Sequence, residues 1–394
     1  MSKNKLLSRR RTLLLSLGIL AATLGCSGKN KVFGQMSDDS NDLQDYLQRS
    51  FTVTGKGSLK KRATAKGLIY GAESAYEALS TDKEFAAAIR RECNMLMNAG
   101  LKWYIGSKPL RPSPENFDFS AGDWIADFTK KYNLLLRGHT LVYHINLPPW
   151  FEETVNQHNA MQFLTKHVDT VAGHFAGRMH SWDVVNEAVE PGSGRDDGLQ
   201  KTCWLEMLGP DYIEIAFRTA ANADPKAMLA YNENALEYDT PYQDSKRTAT
   251  LKLLERLKSR GTPVHALGIQ AHMGAHEKNF NPKKFRAFLQ DVADLGLKIM
   301  ITEMDVGDAE LPKDINIRDR AVAATYEDFL SVVLDERAVI EIITFGLSDR
   351  YTWLSDFAPR KDGLPLRPLP LDNQMKRKLA WNAIARAFDK APRR

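Results

Sequence analysis

The chain has 394 residues, 43% hydrophobic and 26% charged, the balance of a globular protein able to bury a sizeable core. Its formal charge of +5 arises in residues 1–34, which hold seven Lys or Arg and no Asp or Glu. The remainder carries 47 basic against 49 acidic residues, so charge makes no case for nucleic acid or an anionic membrane as a partner.

Arg9-Arg10-Arg11 precede an apolar run from Thr12 to Cys26. The run is short and interrupted for a membrane span but suits the apolar region of an export signal. RRTLLL resembles a twin-arginine signal without its usual aromatic residue. A cut after Gly34 would make residues 1–34 the signal and the mature protein periplasmic or extracellular. An N-terminal anchor helix is the alternative; a lipid on Cys26 is a third reading, which Thr23 fits poorly. Only Cys93 and Cys203 then remain, with no CxxC or Cys/His cluster, which predicts free thiols and no metal site.

Residues 35–66 are polar, with a short amphipathic piece near Asp42–Gln48, and read as a lead-in without catalytic content. From residue 67 to 394 the pattern is that of one domain. Apolar runs at 67–71, 101–105, 134–144, 179–186, 227–232, 265–272, 298–305 and 341–348 read as strands. Between them lie segments of helical period, among them 82–100, 244–261, 281–296 and 317–337; the first three close on Gly. Eight strand–helix units predict a single (β/α)8 TIM barrel. An open doubly wound sheet is the rival, but no strand runs into a Gly-rich phosphate turn.

The strand ends share a character. The third ends in His139 and His144, the fourth in Asn186 and Glu187, the fifth in Asn232 and Glu233. The sixth ends in Gln270 and His272, the seventh in Glu303 and Asp305. A carboxylate at the end of an apolar strand is costly to bury unless it is paired or used. The fourth and seventh strands face each other across a barrel mouth, which brings Glu187 and Glu303 together. Glycoside hydrolysis with retention needs two carboxyl groups about 5–5.5 Å apart.

WDVVNEA around Glu187, ITEMD around Glu303, RGHTLV at Arg137 and GIQAH at Gly268 lie on these strands. LKW at Leu101, PPW at Pro148 and a late FGLSDRYTW join them. Together, from about Gly67 to the C terminus, they resemble glycoside hydrolase family 10, the endo-β-1,4-xylanases. The resemblance implies a retaining enzyme with Glu187 as acid/base and Glu303 as nucleophile. It also implies that Asn186 binds the 2-hydroxyl of the sugar at the cleavage point (the −1 sugar). His272 would bond Glu303 with Asp305 behind it. Lys102, His139 and Gln270 would contact the same sugar, and Trp353 would form an aromatic face. No cofactor is implied, and the expected partner is a polysaccharide or oligosaccharide bound by a monomer. Glu233 reads as a fold-supporting residue, and Trp103, Trp150 and Trp182 as barrel packing.

Departures from the family cluster on the sugar-binding side. A Glu-Asn pair that contacts the next sugar outward (the −2 sugar) is replaced by Ala99-Gly100. Tyr143 and Phe345 stand where the family has Trp, and Asn146 where it has Gln. The alternatives are therefore a retaining β-glycanase or glycosidase of different sugar preference, or a vestigial glycan-binding barrel. The presence of both glutamates, Asn186 and His272 opposes the last.

Overall fold

The structure, a computed structural model, describes Tyr46 and residues 48–394. The expected export signal, Cys26 and most of the Asp42–Gln48 piece lie outside the described residues.

Eight parallel strands close into a barrel: β1 (Ile69–Glu73), β2 (Met95–Asn98), β3 (Leu135–Val142), β4 (Ser181–Asn186), β5 (Met228–Glu233), β6 (Ala266–Ile269), β8 (Lys298–Gly307) and β9 (Val339–Thr344). Each pairs with its neighbour, β6 pairs with β8, and β9 returns to β1. A three-residue β7 (His272–Gly274) extends the line of β6 along the outer end of β8. Helices between the strands cover the outside. The four predicted ones begin at side-chain caps, Asp82 and Asn281 at the predicted starts and Thr240 and Asp314 a few residues before those at 244 and 317; each accepts from backbone N–H groups of the first turn.

Both faces of these strands are buried, which is why they read as continuous apolar runs rather than alternations. Met95, Met97 and Ile343 pack inside the barrel with Ile69 and Phe345. Ala230, Ala266 and Met300 form a second interior cluster. Arg137 is also fully buried here; its guanidinium bonds Asp183 and Ser181 and lies 3.2 Å from Glu341. A buried arginine survives only with such partners. Two motif glycines are steric requirements: a Cβ at Gly138 would lie 2.1 Å from Trp182, and one at Gly268 would lie 2.2 Å from Asn232 Oδ1.

The second strand is not the predicted 101–105 segment. The helix that starts at Lys83 stops at Glu92, and Met95–Asn98 is the strand. Its four residues are all buried, so their apolar run continued the helical pattern before them and gave no alternation to break it. Ala99–Leu101 is instead a short turn, with Asn98 Oδ1 accepting from Gly100 N at 3.0 Å.

Part of the segment before residue 67 is ordered against the barrel. In the helix Leu59–Thr64, Leu59 and Ala63 are fully buried, and Arg62 pairs with Asp389 of the last helix, Leu379–Lys390. Cys93 is buried and Cys203 half-buried, and both are free. Among the described residues no helix is long and apolar enough to cross a membrane, and no group of side chains could hold a metal ion.

Candidate active site

The C-terminal ends of β4, β5, β6 and β8 place a connected set of polar side chains at one mouth of the barrel. Glu187 follows β4 with φ +55°, a left-handed conformation that is costly for a residue with a Cβ. Its N–H bonds Asn232 O of β5 at 2.9 Å, which holds the turn in place. Its carboxyl oxygens are both engaged. Oε1 accepts from Gln270 Nε2 at 2.8 Å and Asn186 Nδ2 at 3.2 Å, and Oε2 accepts from the Tyr143 hydroxyl at 2.6 Å.

Glu303 lies on β8, 4% exposed. Asn232 Nδ2 donates to Glu303 Oε1 at 2.7 Å and to Asn186 Oδ1 at 2.8 Å, while Asn232 Oδ1 accepts from Thr302. One amide, held in a fixed orientation, therefore ties the β4 and β8 sites together. The absence of a Cβ at Gly268 is what leaves room for it.

Behind Glu303 stands a charged chain. His272 Nε2 is 3.4 Å from Glu303 Oε2, its Nδ1 is 3.0 Å from Asp305 Oδ1, and Trp353 Nε1 donates to Asp305 Oδ2 at 2.7 Å. Burial opposes a charge on His272, but Asp305 and then Glu303 raise it well above the usual imidazole range. Burial would likewise raise Glu303; His139, the hydrogen bond from His272 and the charge of Lys102 instead hold it down to about 2. His139 Nδ1 pairs with Asp183 Oδ2 at 2.9 Å and lies 3.8 Å from Glu303. Glu303 is thus an ionised carboxylate in a dry setting, the condition a carboxylate nucleophile requires.

The structure brings together nearly all the residues predicted from strand ends and motifs. Asn186, Gln270, His272 and Asp305 bond one another or the two glutamates, and His139, bonded to Asp183, lies 3.8 Å from Glu303. Trp353 tilts against His272 at 5.1 Å between ring centroids, and Phe345 meets both rings. Lys102 is half-buried with its ammonium 5.8 Å from the Tyr143 ring centre. Asn146, half-buried with φ +59°, bonds none of the polar groups described above. Tyr143 is buried against Glu187, so its hydroxyl is a partner of that carboxyl rather than only a wall of a sugar pocket.

Two contributors escaped the sequence reading. Asn232 ended a predicted strand without an assigned task. Glu237, fully inside the fold, bonds Ala271 N at 3.0 Å and so fixes the left-handed turn between Gln270 and His272. Glu233 is buried against Tyr231, Val189 N and Lys246, a fold-supporting set. Trp103 and Trp182 are packed in the interior.

The chain matches the model of glycosyl hydrolase family 10 over residues 58–387. It is 31% identical over 291 residues to endo-1,4-beta-xylanase B of Thermotoga neapolitana, covering 73% of this chain and 80% of that one. It is 36% identical over 271 residues to endo-1,4-beta-xylanase A of a Caldicellulosiruptor species, covering 64% of this chain. The chain spans 38% of that relative and 27% of endo-1,4-beta-xylanase C of Paenibacillus barcinonensis. Among solved structures, native xylanase 10B of Thermotoga maritima superposes with a TM-score of 0.75 at 30% identity, covering 84% of this chain and 98% of that one. Xylanase 10B of Thermotoga petrophila RKU-1, in complex with xylobiose, gives 0.76 at 29%, covering 86% and 99%. With its barrel, its motifs and a family match that spans most of its length, this chain belongs to glycosyl hydrolase family 10.

Proposed function

We propose that the protein is an endo-acting β-1,4-xylanase that cleaves xylan or its oligosaccharides with retention. Glu303 attacks the anomeric carbon while the leaving oxygen takes a proton from Glu187. The resulting glycosyl ester is then hydrolysed by a water from which Glu187 removes the proton. The observation that carries this reading is the contrast between the two glutamates. Glu303 is buried and held ionised by His139, His272 and Lys102, while Glu187 is only half-buried, opposite it, with neutral donors on both oxygens. Asn186 and Gln270 hold Glu187, and Asn232 links Asn186 to Glu303. The chemistry needs no cofactor.

The test is the product. On xylan and xylohexaose, internal cleavage with a first-formed β-anomer, followed by NMR, is the expected result. A first-formed α-anomer would overturn retention, and turnover of another β-glycan in place of xylan would overturn the substrate. The Arg9-Arg10-Arg11 run and the apolar stretch after it support export, to be checked by N-terminal sequencing of the protein recovered outside the cytoplasm. Sedimentation of the mature protein tests the expected monomer.

A further inference from the structure

Glu73 has no task in the chemistry above, yet it stands at the same mouth. It is the last residue of β1, and strand alternation places it on the face of Ile69 and Gly71. Ile69 packs on Met95, Met97 and Ile343 inside the barrel, so Glu73 is the inward residue at the top of β1. The register sets it beside Met97 of β2. On the other side Ala72 pairs with Thr344, which brings Glu73 level with Phe345 just after β9. Lys102 enters the same space from the turn after β2.

Neither charged group is satisfied by the protein. Among the described residues neither the Glu73 carboxyl nor the Lys102 ammonium has a hydrogen-bond or ion-pair partner; Lys102 approaches the Tyr143 ring at 5.8 Å, and its charge acts on Glu73 and Glu303 at longer range. Both side chains are half-buried at the mouth of the cleft, where a ligand entering it can reach them. The neighbouring segment cannot take that role. Ala99 and Gly100 have no polar side-chain atoms, and Ala99 is 7% exposed. The resemblance drawn from the sequence puts an acidic contact to the −2 sugar on that segment, and β1 is its immediate neighbour.

We propose that Glu73 is a specificity-determining residue of this protein, binding hydroxyl groups of the −2 sugar beside Lys102 in place of the contact missing at Ala99-Gly100. The proposal rests on Glu187 and Glu303 being the reacting pair. Burial pushes the Glu73 carboxyl up, Lys102 pulls it down and Glu303 pushes it up again, to about 7. Such a carboxyl is half-protonated near neutrality, so it can donate as well as accept, and its neutral form does not oppose the charge of Glu303.

The experiment compares wild type, Glu73→Ala and Glu73→Gln on xylotetraose and on an aryl β-xyloside that fills only the −1 position. Glu73→Ala should lose on the order of tenfold in kcat/KM on xylotetraose, the equivalent of one or two hydrogen bonds, and less than about twofold on the aryl xyloside. Glu73→Gln, which keeps a donor and an acceptor, should recover most of the loss. Equal losses on both substrates would overturn the proposal, because Glu73 would then act on the reacting centre. So would no loss on either. A thermal melt of each variant separates a folding defect, which would lower both substrates together. If wild type cleaves neither substrate while remaining folded, the xylanase reading itself falls, and the assignment of Glu73 falls with it.

Discussion

The two halves of the barrel mouth are built on different terms. Around β4 to β8 the polar atoms of the carboxyl centre are bonded to other protein atoms: Glu187 has three donors, Glu303 has Asn232 and His272, and His272 has Asp305. Around β1 and β2 the turn closes on itself through Asn98 and Gly100, and Glu73 and Lys102 are half-buried near each other without a hydrogen bond or ion pair. The first region is pre-organised and can run its chemistry on a sugar that merely arrives. The second is incomplete until a substrate completes it. Apart from Lys102, whose charge also acts on Glu303, the two regions rest on different side chains, so catalysis and recognition can diverge largely separately.

Removing a reacting group should break the first region most. Glu303→Ala is expected to lose at least about 10⁴-fold in kcat on every substrate, with kcat/KM falling alongside, because no other carboxylate can form the ester. A residual rate within tenfold of wild type would remove Glu303 from the role of nucleophile.

Glu187→Ala should cost about 10²–10⁴-fold on xylan, the usual range for general acid–base catalysis. Aryl glycosides with good leaving groups need little protonation and should suffer least in the first step. Added azide should restore their turnover and yield a β-azide, because a small anion can replace the missing base. A well-folded variant that azide does not rescue would argue for another acid/base.

The charge chain predicts a smaller effect that depends on pH. Glu303 has its folded value lowered to about 2 from an ordinary 4.5, so its stabilising contribution is present above pH 4.5 and fades as pH falls towards 2. His272 has the opposite sign: its contribution is complete below its ordinary value of 6.5 and is lost only as pH rises through its raised value. His272→Ala removes one of the groups holding Glu303 down. The acid limb of kcat/KM should then move upwards from about pH 2 towards pH 4.5; a shift of one unit costs roughly fivefold at pH 2 and only about 10% at pH 4. An unmoved acid limb would show that His139 and Lys102 hold the charge without it.

Tyr143→Phe should do least. It deletes one donor to Glu187 while Gln270 and Asn186 remain, a loss of about 0.5–1.5 kcal/mol, or about 2- to 12-fold. The loss should be greater for substrates with poor leaving groups, which rely on Glu187 for the proton. An equal loss across leaving groups would assign Tyr143 to packing of the cleft wall.

Much of this centre was legible because most of its residues sit at or near the end of an apolar strand, where a charged or amide side chain conflicts with its surroundings unless it is used. Glu187, Glu303, Gln270 and His272 stand out on that ground, and the barrel follows from the recurrence of strand and helix patterns. β2 was not legible in its place, because a strand of four wholly buried residues after an amphipathic helix presents no change of period.

Local pattern in this chain determined most of the strand ends, the helix starts at Asp82 and Asn281, and the place of Glu187 and Glu303 at the ends of apolar strands. These depend on residues within a few positions of one another, and periodicity reports such neighbours directly. The partners were decided by the closed barrel. Asn232 meets Glu303 across 71 positions, and Tyr143 meets Glu187 across 44. Glu73 faces Lys102 only because β1 lies between β2 and β9. No spacing along the chain carries those contacts, because they are distances between strand tops set by register and by closure of the sheet.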